Sequence, residues 1–218
     1  MSTLLQVNQQ TILSEDLLPL LNRYQLLEPL LREILIDQAI ASLRDNAGET
    51  NSHWDGEAER THKLQTFKQQ KWQHRLPTYF LERSAQLDRV VYSMIRVQDP
   101  GIADELYFRI QENEQTFAEL AAQYSQGPEA ETHGLIGPVE LGSYHPQFAH
   151  VLAMAPCNEL MPPLQLDNWF VILRVEKRIP AQLDDVMSQR LLNELFEQWL
   201  QQEVTQVLSR SPNPQVAA

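Results

Sequence analysis

One cysteine in 218 residues, Cys157, leaves no partner for a disulfide within the chain. Basic residues are scarce too: 17 Lys and Arg stand against 29 Asp and Glu, a formal charge of −12. Such a surplus repels phosphate backbones and anionic headgroups unless a local basic cluster overrides it, and the sequence holds no such cluster. Nucleic acid and anionic membrane surfaces are therefore excluded as expected partners. No run approaches the roughly 18 apolar residues needed to cross a bilayer, so no membrane insertion is expected. The opening segment, Met1 to Asn8, lacks a basic stretch followed by an apolar one, and no secretory signal is read there. These absences set the expectation of a cytoplasmic protein. No repeat or low-complexity tract stands out. What remains is 43% hydrophobic and 21% charged, the balance of a chain able to bury a core in one or two domains.

The spacing of apolar residues predicts helices first. After an extended lead-in over residues 5–13, Ser14 is placed to cap a helix with Glu15 and Asp16 in its first turn. Glu28-Pro29 opens a second helix, with proline where its missing N–H costs nothing. Leu30, Leu31, Ile34, Leu35, Ile36, Ala39, Ile40 and Leu43 cover a face so broad that other helices must bury it. Residues 45–53 read as a turn or connection. A third helical stretch runs from Gly56 toward Arg83, where Pro77 kinks or breaks it and pushes Leu76 out of helical geometry.

From Arg89 the pattern changes. Arg89 to Val97 reads as a strand, and Asp99-Pro100 caps a helix with Ile102, Ala103, Leu106 and Ile110 on one side. Thr116 and Glu119 have capping-box spacing, so a helix starts at Phe117 and presents Phe117, Leu120, Ala121 and Tyr124 inward. A loop runs from Gln126 to Thr132. The glycines of Gly134-Leu-Ile-Gly137 then mark a tight backbone path. A short helix from Pro146 to Met154 and a strand from Met161 to Leu166 come next; the Pro162-Pro163 pair suits a strand start or a sheet edge. Asn168 to Glu176 is apolar on both faces, as a central strand is. A long amphipathic helix carrying Leu191, Leu195, Phe196, Trp199 and Val204 comes last, with a disordered tail from Ser209. The expected fold class is α+β: helices, then β-α-α-β-α-β-β, then one helix.

Phe117-Ala-Glu-Leu-Ala-Ala-Gln-Tyr-Ser125, Gly134-Leu-Ile-Gly137, Pro146-Gln-Phe148 and the final strand, in this order, resemble the parvulin family of peptidyl-prolyl isomerases. The helical part, with Val7-Asn8, Glu15-Asp16 and the segment Leu31 to Ala39, is similar to the helical domain of SurA-like chaperones. The resemblance implies a helical lobe over 1–87, a parvulin-like domain over 88–180, a helix over 181–208 that returns to the lobe, and a tail over 209–218.

It also implies chemistry. Parvulins speed rotation about X-Pro bonds by gripping the proline ring in an apolar pocket while polar groups complement the twisted amide. The pocket maps onto Ile136, Tyr144 and Phe148, with Ser125 and Gly127 beside it. The polar half departs from the family pattern: where two histidines and a cysteine or aspartate are usual, the alignment places Ser93, Val171 and Gly127. A one-residue slip exchanges Ser93 for Tyr92, and Asn168 stands where a serine or threonine is common. The candidate catalytic residues are thus Ser93, Tyr92 and Asn168. The structural alternative for the three pocket residues is that they are simply core.

No cofactor is expected. His133, His145, His150 and Cys157 match no ligand spacing for a metal, and Cys157 reads as a small core residue. Glu129 and Glu131 read as solvated loop charges, with selection of basic residues beside a proline as the alternative. The expectation is an isomerase acting on unfolded or exported polypeptides with chaperone-like binding. A catalytically inactive client-binding module, serving an ABC-type export system, is the second reading.

Overall fold

The computed structural model describes residues 3–7, 10–43 and 56–210. Strands β1 (Thr3–Val7) and β2 (Gln10–Leu13) form an antiparallel hairpin where an extended lead-in was expected. Ser14 lies inside a 3₁₀ turn (Ser14–Asp16) rather than at the position before a helix. The Leu13 N–H donates to Asp16 Oδ2 at 3.1 Å across that turn, which leads into α1 (Leu17–Arg23). Helix α2 (Leu27–Ala41) begins with Glu28-Pro29 in its first turn, as the sequence predicts. The turn expected at 45–53 lies outside the described residues.

The third helical stretch is two helices, α3 (Glu57–Trp72) and α4 (Leu76–Leu87), separated by a 3₁₀ turn at Gln73–Arg75. The break falls before the proline, not at it. Leu76 keeps helical angles (φ −54, ψ −45), and Pro77 sits in the first turn of α4, where no intrahelical bond to its nitrogen is needed.

Then come β3 (Arg89–Val97), α5 (Pro100–Gln111), α6 (Phe117–Tyr124), β4 (Leu135–Glu140), α7 (Pro146–Met154), β5 (Leu160–Leu166), β6 (Trp169–Ile179) and α8 (Asp185–Arg210). This is the predicted α+β order. Ser209 and Arg210, assigned to a tail from sequence, close α8; the remainder of that tail lies outside the described residues.

Two compact units result, Met1–Pro77 with Asp184–Ala218, and Thr78–Leu183. In the first, α8 packs on α2 and α3. Its Leu191, Leu195, Phe196, Leu200 and Val204 are buried, and Phe67, Trp72, Phe196 and Trp199 form a ring cluster. Lys71 Nζ lies 4.0 Å from the Trp199 ring centroid, and desolvation there holds its pKa below the ordinary lysine value.

The second unit is a four-stranded antiparallel sheet of order β4-β3-β6-β5 with helices on both faces. Val90, Tyr92 and Met94 of β3 share one face with Val171, Leu173 and Val175 of β6, closed by Leu141, by Leu152 of α7 and by Ala155. Ile95, Val97 and Ile172 point the other way, onto Ala103, Leu106 and Ile110 of α5 and Phe117, Leu120 and Ala121 of α6. Ile102, expected on the inner side of α5, is 39% exposed instead. Both inner helices start as the sequence predicts. Asp99 Oδ1 accepts from the N–H groups of Gly101 (2.7 Å) and Ile102 (3.1 Å), and Thr116 and Glu119 form a reciprocal capping box. At Gly137 (φ +114) a Cβ would meet the Val90 carbonyl oxygen at 2.5 Å, so the β3–β4 crossing requires glycine.

Candidate active site

The site is built on the sheet face that α7 covers. A cavity of about 390 Å³ opens there. Met94 and Val171 form its floor, Tyr144 and Phe148 one wall, Leu166 and Trp169 the other. Tyr92 stands behind the first wall. Its ring is 6.0 Å from that of Tyr144 and 5.9 Å from that of Phe148, while Tyr144 and Phe148 are 5.3 Å apart, all edge-on. Three aromatic rings from β3, the segment before α7 and α7 itself thus lock each other at one end of the cavity.

Tyr92 is 1% exposed, and its hydroxyl donates to that of Tyr144 at 3.0 Å. Burial first, then the hydrogen bond to Tyr144, raises its pKa above the ordinary phenol value, so the group is a proton-bearing donor.

Arg96 reaches the cavity from the same strand face. Its guanidinium is held by Glu129 in a two-pronged pair, Nε to Oε1 at 2.9 Å and Nη2 to Oε2 at 2.7 Å. Ser125 completes the seat: its hydroxyl accepts from the Arg96 backbone N–H (3.1 Å) and donates to Glu129 Oε1 (2.6 Å). Burial pushes the Glu129 carboxyl up, but the hydrogen bonds from Arg96 and Ser125 outweigh it, and the pKa lies below the usual value. Gly127 leaves room for the arginine to pass, since a Cβ there would lie 1.9 Å from Arg96 Nε. The guanidinium also stands 5.8 Å from the Trp169 ring centroid.

Of the candidates named from sequence, the cavity brings together Tyr144 and Phe148, with Tyr92 behind them. Ile136 packs against the same core cluster but does not line the opening. Ser93 points to the opposite sheet face, where its hydroxyl donates to Glu176 Oε1 at 2.5 Å. Alternation along a strand puts neighbours on opposite faces, so Tyr92 and Ser93 cannot both serve one site. Asn168 is exposed in the β5–β6 turn and outside the lining; Asp167 before it and Gln165 are the rim residues. Ser125 and Gly127 act on the site through Arg96.

Two further expectations change. Glu129 is neither a solvated charge nor a selector of basic residues, because its side chain is 1% exposed and paired. Cys157 is exposed, not core. Among the described residues, no group of three His, Cys, Asp or Glu side chains is placed to hold a metal ion.

Sequence reading missed Met94, Arg96 and Trp169. For Arg96 a signal existed, since it is the one charged residue of β3 besides Arg89 at its start and shares parity with Tyr92. Its buried partner is 33 residues away, beyond the reach of local pattern.

Chemically, the arrangement offers an apolar cavity, a tyrosine among its lining whose hydroxyl is held by a buried one, and a restrained guanidinium.

Parts of the chain are similar to known proteins. The family model described as "Rotamase: PPIC-type PPIASE domain" matches residues 100–177. Chaperone SurA of Vibrio cholerae serotype O1 is 29% identical over 104 residues, covering 47% of this chain and 24% of that protein. Chaperone SurA of Vibrio vulnificus (strain YJ016) is 30% identical over 103 residues, covering 46% and 24%. The chain therefore spans about a quarter of the length of these relatives. Peptidylprolyl isomerase PrsA of Bacillus cereus superposes over 97% of this chain and 93% of its own with a TM-score of 0.46 and 16% identity.

Proposed function

We propose that this chain, which carries a PPIC-type peptidyl-prolyl isomerase domain over residues 100–177, accelerates cis–trans rotation about X-Pro bonds in unfolded polypeptides. The observation that carries the reading is the slot between Phe148, Met94, Val171 and Trp169 within a domain of that family. The uncatalysed step is slow because twisting the amide gives up its double-bond character, a barrier of about 18–20 kcal/mol. No bond is made or broken and no proton has to leave. The protein must hold the proline ring, exclude water from the amide and complement the twisted charge distribution better than the planar one. Phe148, Met94, Val171 and Trp169 hold the ring, and Arg96 anchors the peptide backbone at the rim.

A second reading is client binding without catalysis. The apolar Val171 on the cavity floor favours it, because that side chain offers the amide no polar complement. Equal affinity for planar and twisted forms gives no acceleration. The chaperone-like role and the clients are part of the proposal: unfolded chains in the cytosol, some bound for an ABC-type exporter. The exposed lone thiol of Cys157 supports a reducing compartment. Cell fractionation tests the compartment, and co-purification with exporter subunits tests the route.

Following cis-to-trans conversion of a proline tetrapeptide tests the isomerase directly. A rate that rises in proportion to protein concentration is expected, and an unchanged rate at high concentration overturns the reading. Suppression of aggregation of a proline-free client would then assign the chain to holding.

A further inference from the structure

We propose that Tyr144 is the catalytic donor of this site, giving a hydrogen bond to the prolyl nitrogen as the amide twists, with Tyr92 as the residue that positions its hydroxyl. The proposal rests on the isomerase reading of the cavity. Its chemistry comes from the amide. In the planar state the prolyl nitrogen shares its electron pair with the carbonyl and accepts no hydrogen bond. On twisting, the pair localises on nitrogen, which becomes an acceptor, while the carbonyl oxygen loses negative charge. A donor aimed at nitrogen therefore binds the twisted form selectively, which is the condition for acceleration.

Among the described residues that line the cavity, Tyr144 is the donor beside Phe148. Arg96 is committed to Glu129 through Nε and Nη2 and stands toward the Trp169 side. His145, Gln147, Gln165 and Asp167 are exposed rim residues, and Gln165 Nε2 donates to the Asp167 carbonyl at 3.2 Å. Tyr144 is half-buried, lines the cavity and lies edge-on to Phe148 at 5.3 Å, next to the slot for the ring. Its oxygen already accepts from Tyr92 at 3.0 Å, so its own hydrogen points elsewhere and is strengthened as a donor by the bond it receives. Tyr92 is sealed and cannot touch a peptide. The two hydroxyls thus divide the work: one is fixed in the core and orients, the other faces substrate and donates. No proton is transferred, so the pair returns to its starting state after each turnover.

The test uses the full chain with a proline tetrapeptide, reading kcat and KM separately for native protein, Tyr144→Phe, Tyr92→Phe and the double variant, with thermal unfolding as a check on each fold. Tyr144→Phe should lower kcat at least about tenfold and leave KM within about twofold, because the lost bond forms only in the transition state. Tyr92→Phe, which keeps the donor but frees it, should lower kcat less. The double variant should match Tyr144→Phe. An unchanged kcat in Tyr144→Phe, or a loss confined to KM, overturns the proposal while leaving the isomerase standing. Should Tyr144→Phe fail to fold, Tyr92→Phe decides: a native kcat in that variant overturns the positioning pair. A native protein that does not accelerate the peptide at all removes the isomerase and this role together.

Discussion

Glu129 shows how one buried carboxylate can organise a site it never touches. It holds Arg96 at the cavity rim, ties down Ser125, and obliges position 127 to be glycine. Glu129→Gln should cost about 3 kcal/mol, because the arginine keeps its charge and loses its partner. Gly127→Ala should cost a similar amount through displacement of the guanidinium, since the backbone there (φ −120) tolerates a side chain. The double variant should cost little more than either alone, as both break one pair; urea denaturation of the three variants measures the coupling. The same pair sets an acid limit. The folded carboxyl has a lowered pKa, so its stabilisation is complete above the unfolded value of about 4.3 and disappears as pH falls through the folded one. Between pH 6 and pH 3 native protein should lose more stability than Glu129→Gln. Phe148→Ala should weaken tetrapeptide binding in a titration and cost about 3 kcal/mol, near the low end for a lost ring because this one is partly open to solvent.

At the scale of elements, the starts of α5 and α6 were legible and the faces of β3 were not. Asp99-Pro100 and the Thr116–Glu119 pair act within a few residues of chain, so their spacing alone declares them. Tyr92 and Ser93 could not be told apart because β3 is buried on both sides and alternation then assigns no face. Bulges compound the problem. Val91 pairs with Lys177 but Tyr92 with Val175, which leaves Glu176 as an extra residue that no alternating pattern announces. The site also depends on an anchor that no local pattern announces. Arg178 on β6 donates through Nη2 to the Leu152 carbonyl at 2.9 Å and to that of Ala155, closing the C-terminal end of α7, the helix that carries Phe148. Arg178→Gln should cost about 1.5–3 kcal/mol, the worth of hydrogen bonds from a charged group. It should also lower peptide affinity, seen as a weaker dissociation constant in the same titration used for Phe148→Ala.

For the whole molecule, composition gave the class and order gave the architecture, while the pairing of distant segments came only with three dimensions. The second unit has its own core on both faces of one sheet. On the proposed reading, residues 78–183 expressed alone should fold cooperatively and keep the tetrapeptide kcat of the full chain, and any suppression of aggregation of a proline-free client should be confined to the full chain. Circular dichroism and the two activity assays check this.

Arg89 and Ile179 are register partners in neighbouring strands. The strands that open and close the sheet of the inserted unit therefore start and finish side by side. For a nascent polypeptide this sets a timetable. Residues 1–77 leave the ribosome long before α8, and to meet it they would have to close a loop of about a hundred residues, an entropic toll of about 4 kcal/mol. Once β3 and β6 have paired, most of that toll is already settled. Maturation should run from the middle outward, so a sheet-weakening change such as Leu173→Ala should delay burial of Trp199, followed by its fluorescence during refolding.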